Sequence, residues 1–461
     1  MKAVSERSLA LEGLMNITEK QMFSHNAIHQ LLSKHQKLDK RGRAFISHLI
    51  MGTLEHLLEI DYIINQFSSI KVEKMKPAIR NILRSGVYQL KYMENIPQSA
   101  VCNEAVKLAE AKGFKNLKGF VNGNLRNIAR NLENITYPTD KLSLLEVKTS
   151  IPSWILKLWL EEYDFNTVEQ IAKSFGEKRP LTIRTNQSKI TPDDLKENLE
   201  KEGVRVEQHP HLPYAFKIHE VDYLESLEDF KKGNFYVQDI SSMLVGELIN
   251  PEKDSLVLDL CAAPGGKALH TADKMRVATL SNHYVSTGQV LAFDLTDKKV
   301  ALIRENIART GFKNIIASKK DATTLDKNLI QKADIIIADV PCSGLGILGK
   351  KADLRYNTSL ENIKELIKLQ RKILSNACTY LKPGGILMFS TCTINPSENI
   401  ENVHWLLEKF PEFKLLPIHE NLSEKLKDSL NTEIRENTLQ LLPNINDSDG
   451  FFIAKFTKTM L

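Results

Sequence analysis

The sequence predicts a multidomain chain. An all-α domain covers residues 1–140, a linker and a small α+β subdomain cover 141–232, and an α/β domain with a doubly wound parallel sheet covers 233–461. Three observations predict it. Residues 1–130 carry apolar side chains at three- and four-residue steps, with no alternating strand pattern of useful length. From residue 255 short apolar runs alternate with helical stretches, the pattern of parallel strands joined by right-handed crossovers. The length of 461 residues suits two to four domains.

In the helical block, Ile79, Ile82, Leu83, Val87 and Leu90 form one apolar stripe, and Phe45, Leu49, Leu54, Leu57 and Leu58 form another. The polar faces carry Lys40, Arg41 and Arg43, then Lys71, Lys74, Lys76, Arg80 and Arg84. Residues 131–152 are less regular, with a break at Pro138-Thr139-Asp140, and read as the linker. An amphipathic helix follows at 154–163 and a short strand at 181–184. A further helix opens where Thr191 can cap and Pro192 can occupy the first turn. The α/β domain is read as strands at 256–260, 289–294, 314–317, 334–340 and 385–390, with helices such as 298–309 and 360–380 between them. Residues 450–456 read as a late antiparallel edge strand.

Composition excludes several classes. Hydrophobic residues at 42% and charged residues at 26% are ordinary for a globular protein and argue against disorder, collagen and coiled coil. No apolar run is long enough for a membrane span. The start, Met1-Lys2-Ala3-Val4-Ser5-Glu6-Arg7, lacks the apolar core of a secretory signal. The cysteines (Cys102, Cys261, Cys342, Cys378 and Cys392) are odd in number and contain no C-x-x-C pair. This argues against a disulfide framework or a metal site and for free thiols in a reducing cytoplasm. Charge is uneven: residues 1–150 hold 22 Lys and Arg against 14 Asp and Glu, while the remainder holds 40 against 43. A basic block on a near-neutral body suits a nucleic-acid partner, and the plain alternative is a solvated, lysine-rich helical surface.

The reactive residues collect where open α/β sheets bind ligands, beyond the carboxyl ends of the strands. The predicted strands end in Asp259-Leu260-Cys261-Ala262-Ala263-Pro264-Gly265-Gly266-Lys267, in Asp294, just before Asp321, in Asp339-Val340-Pro341-Cys342, and in Ser390-Thr391-Cys392-Thr393. The glycine turn matches neither a Walker loop, since Cys261 and Ala268 stand at two required positions, nor the dinucleotide fingerprint. A small-residue turn, an acid for ribose hydroxyls and a further acid for an adenine edge suit a nucleoside cofactor without a pyrophosphate. S-adenosyl-L-methionine fits that description. Each acid alone has a plain reading as a turn or cap residue.

Two strand-end thiols narrow the reaction. Carbon 5 of cytosine is too poor a nucleophile to take a methyl group unaided. A thiolate added at carbon 6 makes it enamine-like, and a base must later remove the carbon 5 proton so that the thiolate can leave. Cys102, Cys261 and Cys378 read more simply as small buried residues.

Together, the segments Asp259 to Lys267, Asp339 to Cys342 and Ser390 to Thr393 resemble the Nop/Sun family of RNA cytosine-C5 methyltransferases over roughly residues 150–461. Lys232-Gly233-Asn234-Phe235-Tyr236-Val237-Gln238-Asp239 resembles the segment preceding that family's cofactor core, and the helical block resembles a NusB-like RNA-binding domain. The pairing implies a monomeric bacterial enzyme with a Rossmann-like class I methyltransferase domain, acting on small-subunit (16S) ribosomal RNA and neither on DNA nor at a membrane. The resemblance makes Cys392 the nucleophile and Cys342 the residue that assists product release. It gives the cofactor to Cys261, Ala262, Ala263, Pro264, Gly265, Gly266, Lys267, Asp294, Asp321 and Asp339. RNA contacts fall to Arg184, in an element resembling the family's R-x-N, and on charge grounds to Lys40, Arg41 and Arg43. Residues 275–287, with Ser281, Asn282, His283 and Tyr284, lengthen the stretch before Asp294 and read as an inserted surface loop. Three alternatives stay open: a non-catalytic ribosome assembly factor, a cytosine-C5 methyltransferase for another RNA such as tRNA, and a DNA-type enzyme using Cys342 as nucleophile.

Overall fold

Residues 5–460 are described by the structure, a computed structural model, except 178, 222, 279–283, 287, 431–433 and 444–447. Two compact units divide the chain: Met1–Glu177 with Leu348–Ser359, and Lys178–Ile347 with Leu360–Leu461.

The first unit is helical, built on Glu6–Thr18, Ser24–Lys34, Lys40–Glu55, Leu57–Phe67, Pro77–Tyr92, Gln98–Ala111 and Lys118–Arg130. Local chemistry sets the helix starts. Ser5 accepts from the Ser8 amide, Asp39 accepts from the Gly42 amide at 2.7 Å, and Pro77 occupies a first turn. The stripe Ile79, Ile82, Leu83 and Val87 is buried and packs with Leu49, Leu54, Ile60 and Ile63. Gly52 permits one close crossing, since a Cβ there would meet the Tyr88 hydroxyl at 2.0 Å.

Residues 131–152 are not an open linker. Asp140 caps a helix, Lys141–Thr149, by accepting from the Ser143 amide at 2.8 Å, and that helix buries Leu145 and Val147. The break at Pro138 is therefore a helix start. Helices Ser153–Leu160 and Phe165–Ser174 continue the unit and bury Trp159 and Ile171. Leu348–Ser359, distant in sequence, folds with these helices. Asp353 accepts from the Ser24 amide and hydroxyl, and Arg355 Nη1 donates to the carbonyls of Glu55 at 2.8 Å and Thr149 at 3.0 Å. The Tyr356 hydroxyl donates to the carbonyls of Leu54 and Ser150, both at 3.0 Å.

The second unit opens with a four-stranded antiparallel sheet of β1 (Leu181–Thr185), β2 (Arg205–Gln208), β3 (Ala215–His219) and β4 (Phe235–Val237), in the order β2-β3-β1-β4. Helix Pro192–Lys201 packs on it, with Thr191 as its cap and Pro192 in its first turn.

The large sheet takes β5 (Leu256–Asp259), β8 (Gln289–Asp294), β9 (Ile315–Lys319), β10 (Ala333–Asp339) and β11 (Leu381–Thr391) as parallel strands in the order β11-β10-β5-β8-β9. Between β5 and β8, β6 (Arg276–Ala278) and β7 (Tyr284–Ser286) pair as an antiparallel hairpin. The expected loop at 275–287 is thus partly strand, and Ser281, Asn282 and His283 lie outside the described residues. After β11 come β12 (Phe413–Leu415), β13 (Ile434–Arg435), β14 (Thr438–Leu441) and β15 (Phe451–Lys458). β15 is antiparallel to β11, but β14 pairs on its other side, so it is an inner strand and not the expected edge. Its residues 451–456 are all buried, which fits that position. Strand order reverses between β5 and β10, and ligands of such sheets bind at the crevice there.

Candidate active site

The turn after β5 runs from Leu260 to Gly265 and feeds helix Gly266–Lys274. Gly265 has φ +111°, a conformation a side chain would strain. At the end of β8, Asp294 is 4% exposed and accepts from the Ala263 amide at 3.0 Å and the Leu295 amide at 2.8 Å. Lys299 approaches it to 3.1 Å. The acid thus holds the glycine turn against the neighbouring strand. Asp321, on the exposed side beyond β9, accepts from the Thr323 hydroxyl and amide, and those bonds lower its pKa. Asp339 closes β10, accepting from Lys267 Nζ at 2.7 Å and the Ser390 hydroxyl at 2.8 Å.

Asp259 is a site residue that the motifs alone do not single out. It is 1% exposed, and no side chain among the described residues donates to its carboxylate, while a backbone hydrogen bond from Cys261 lowers its pKa. Burial pushes its pKa up to about 7, with Lys267 opposing and Asp339 adding to the shift. Its place as the last residue of the first apolar strand is the signal the sequence offers.

The two thiols meet. Cys342 follows β10, Cys392 follows β11, and their sulfur atoms lie 3.3 Å apart as free cysteines. The hydrogen bond with Cys392, then burial and the nearby Glu398 charge, push the Cys342 thiol well above its usual range. Either thiol can donate to the other across this contact. Cys378 and Cys102 are buried packing residues, and burial pushes the half-buried Cys261 up as well.

A fully buried carboxylate fixes both thiol loops. Glu398 accepts from the Ser343 amide at 2.8 Å, the Ser343 hydroxyl, Gln370 Nε2 at 3.1 Å and Asn395 Nδ2 at 3.1 Å. The Thr393 and Ser343 hydroxyls pair at 2.9 Å, and Gln370 also donates to the Pro341 carbonyl at 2.9 Å. The residues beside each thiol thus share one network. Gly346 brings its amide to the Cys392 carbonyl at 3.1 Å, and a Cβ there would meet the Gly450 carbonyl at 2.1 Å.

Arg184 needs correction as an RNA contact. It is 1% exposed, pairs with Asp273 at 2.9 Å, donates to Gln238 at 2.9 Å and stacks 4.4 Å over the Tyr236 ring. A guanidinium held in this way pins β1 to the helix after the glycine turn and has no face for RNA. Lys40 and Arg41 are exposed in the first turn of their helix, with Arg43 half-buried beside them. Cations there oppose the helix dipole, so they are not placed for helix stability. Arg80 and Arg84 pair with Glu19 and Asp61, so part of the expected basic face is neutralised internally.

Residues 247–457 match the family described as 16S rRNA methyltransferase RsmB/F, residues 4–130 the NusB family, and residues 151–222 the ferredoxin-like domain of RsmF/B-like methyltransferases. The chain is 34% identical over 461 residues to the probable ribosomal RNA small subunit methyltransferase B of Bacillus subtilis, covering 99% of this chain and 100% of that one. It is 30% identical over 460 residues to the protein of the same name from Synechocystis, again covering 99% and 100%. Among solved structures, PH0851 superposes with a TM-score of 0.80 over 99% of each chain at 24% identity, a likeness of fold. With the thiol pair, the glycine turn and the helical domain in one chain, the protein belongs to the RsmB/F family of ribosomal RNA methyltransferases.

Proposed function

We propose that the chain methylates carbon 5 of a cytosine in small-subunit ribosomal RNA, using S-adenosylmethionine and a transient bond between Cys392 and carbon 6. The observation that carries this reading is the 3.3 Å approach of two thiols at the carboxyl ends of β10 and β11, next to the strand-order reversal that the Asp339–Lys267 pair spans. The names of the full-length relatives support the substrate class.

The residues fit the cofactor. Asp259, Asp294 and Asp339 lie about the glycine turn, Asp321 follows the next strand, and this concentration of carboxylates suits a cationic ligand. In this reading the small residues Ala263 to Gly266 let a ligand lie against the turn, and Asp294 accepts from ribose hydroxyls. When bound, S-adenosylmethionine supplies an electrophilic methyl group.

The chain's own steps follow from the thiols. Cys392, as thiolate, forms a bond to carbon 6 and raises electron density at carbon 5. Cys342 lies 3.3 Å from that sulfur, within reach of the same base. After methyl transfer, Cys342, its own proton having passed to solvent, takes the carbon 5 proton. The electrons of that bond form the carbon 5–carbon 6 double bond, the bond from sulfur to carbon 6 breaks, and Cys392 leaves as thiolate.

Denaturing electrophoresis with substrate RNA tests the reading. Cys392→Ala is expected to abolish methylation and give no adduct. Cys342→Ala is expected to accumulate a cofactor-dependent protein–RNA adduct, each variant first having wild-type cofactor affinity. An adduct in the Cys392 variant would reverse the assignment, and none in either would favour a binding factor.

A further inference from the structure

A second cavity lies wholly within the helical unit, far in sequence from the thiols. It encloses about 740 Å³ between helices Lys141–Thr149 and Phe165–Ser174, with the end of helix Lys40–Glu55 and Arg355 completing its wall. That volume is in the range of sites that bury a small organic ligand.

Its chemistry has two parts. Phe165 and Leu144, the latter 36% exposed, give an apolar wall. Lys141, Lys148, Lys173 and Arg355 line it beside Glu55 and Glu169; Lys173 pairs with Glu169 at 2.8 Å, and Lys148 reaches Glu59 at 3.5 Å while remaining 45% exposed. His56 adds no charge at neutral pH, since burial pushes its pKa down to about 4, with Arg355 adding to the shift against Glu59. Lys141 Nζ lies 5.7 Å over the Phe165 ring, so a cation and an aromatic face stand side by side. Arg355 supplies the independent observation. It is 2% exposed, its Nη1 donates to two carbonyls, and its buried Nε has no partner among the described residues. A buried guanidinium behind the wall of the cavity, with no carboxylate paired to it among the described residues, adds a positive field that favours an anion there.

We infer that this cavity binds one nucleoside monophosphate unit, its phosphate among Lys141, Lys148 and Arg355 and its base against Phe165 and Leu144. A bare phosphate would need no apolar wall. An acidic peptide would leave the flat aromatic surface without use. Bases present a π-face to an aromatic ring and a phosphate to lysines. The unit is either a residue of a single RNA strand or a free nucleotide, and only the first source rests on the RNA reading above.

Photocrosslinking of the full chain separates these outcomes. The probes are 4-thiouridine 5′-monophosphate and a short single-stranded RNA containing 4-thiouridine, with crosslinked peptides mapped by mass spectrometry. Crosslinks within residues 141–176 are expected, with at least one probe. Lys141→Glu and Phe165→Ala, both at partly exposed positions, should each lower that yield roughly tenfold, the scale of one charge-assisted hydrogen bond for the lysine and of one base stack for the phenylalanine. Labelling by the RNA alone assigns a strand, and labelling by both assigns a general nucleotide site. Crosslinks only outside 141–176, or a yield unchanged in both variants, would overturn the inference. Displacement by inorganic phosphate as effective as by uridine monophosphate would also overturn it, since the base would then contribute nothing. Loss of methylation with these crosslinks intact would count against the proposed reaction and leave this site standing.

Discussion

The Arg184 guanidinium and the Asp273 carboxylate meet at 2.9 Å with each side chain 1% exposed, joining the small antiparallel sheet to the helix that follows the glycine turn. Removing one partner leaves the other charge buried and alone. Arg184→Ala should cost about 3–5 kcal/mol of stability, read as a lower urea midpoint. Arg184→Met with Asp273→Leu should recover much of that loss, because no orphaned charge remains. If Arg184→Ala instead weakened RNA binding at unchanged stability, the residue would be an RNA contact after all.

Cys342 should change its acid strength when Cys392 is removed. Its thiol is raised first by the hydrogen bond with Cys392, so in Cys392→Ala its pKa should fall. At neutral pH a larger fraction is then thiolate, and alkylation by iodoacetamide should be faster than in the wild type. The pH at which the Cys342 alkylation rate reaches half its maximum, followed by peptide mass spectrometry, should shift downward. An unchanged midpoint would mean that burial alone sets it.

Glu398 should act on rate and not on cofactor affinity. It holds Ser343, next to Cys342, and shares a network with Thr393, next to Cys392. A thiol displaced by about 1 Å can cost on the order of 100-fold in rate. Glu398→Gln is expected to lower kcat by that order, with the dissociation constant for S-adenosylmethionine unchanged by calorimetry. Equal losses in both would point to general unfolding of the loops.

Asp294 should act on the cofactor. Loss of hydrogen bonds to a charged acceptor is worth about 1.5–3 kcal/mol, so Asp294→Ala should weaken S-adenosylmethionine binding accordingly. The same change frees the Ala263 amide, so Asp294→Asn, which keeps an acceptor there, should lose less. Wild-type affinity in the alanine variant would remove Asp294 from the cofactor site.

Lys40→Glu with Arg41→Glu should flatten the dependence of log RNA affinity on log salt by about 0.7–0.9 for each phosphate no longer neutralised. Filter binding across a salt series reads this directly, and a parallel slope would assign these cations to solvation.

Local chemistry made much of this molecule legible. Thr191 and Pro192 announced a helix start, the Ile79 to Val87 spacing announced a buried face, and acids and thiols at strand ends marked the crevice. What stayed hidden depends on partners distant in sequence. Gln370 and Asn402 look like the solvated faces of helices, yet both are fully buried because they complete the Glu398 network. Arg184 has the chemistry of an RNA contact, and only the position of Asp273 gives it another task. The strand at 451–458 reads as an edge because β14, at 438–441, is too short to stand out as its neighbour.

Leu348–Ser359 completes the helical unit from beyond residue 340, and this has a consequence for synthesis. Domains tend to fold as units while the chain is being made, beginning at the N-terminus. Here the carbonyls of Leu54, Glu55 and Thr149 wait for Tyr356 and Arg355, which leave the ribosome only after β5, β8, β9 and β10 have been made. The nascent helices must hold together through some two hundred further residues before their last contacts arrive. A gene cut after residue 177 would yield the same helices with those acceptors unmatched, and a gene begun there would carry Arg355 and Asp353 with nothing to receive them.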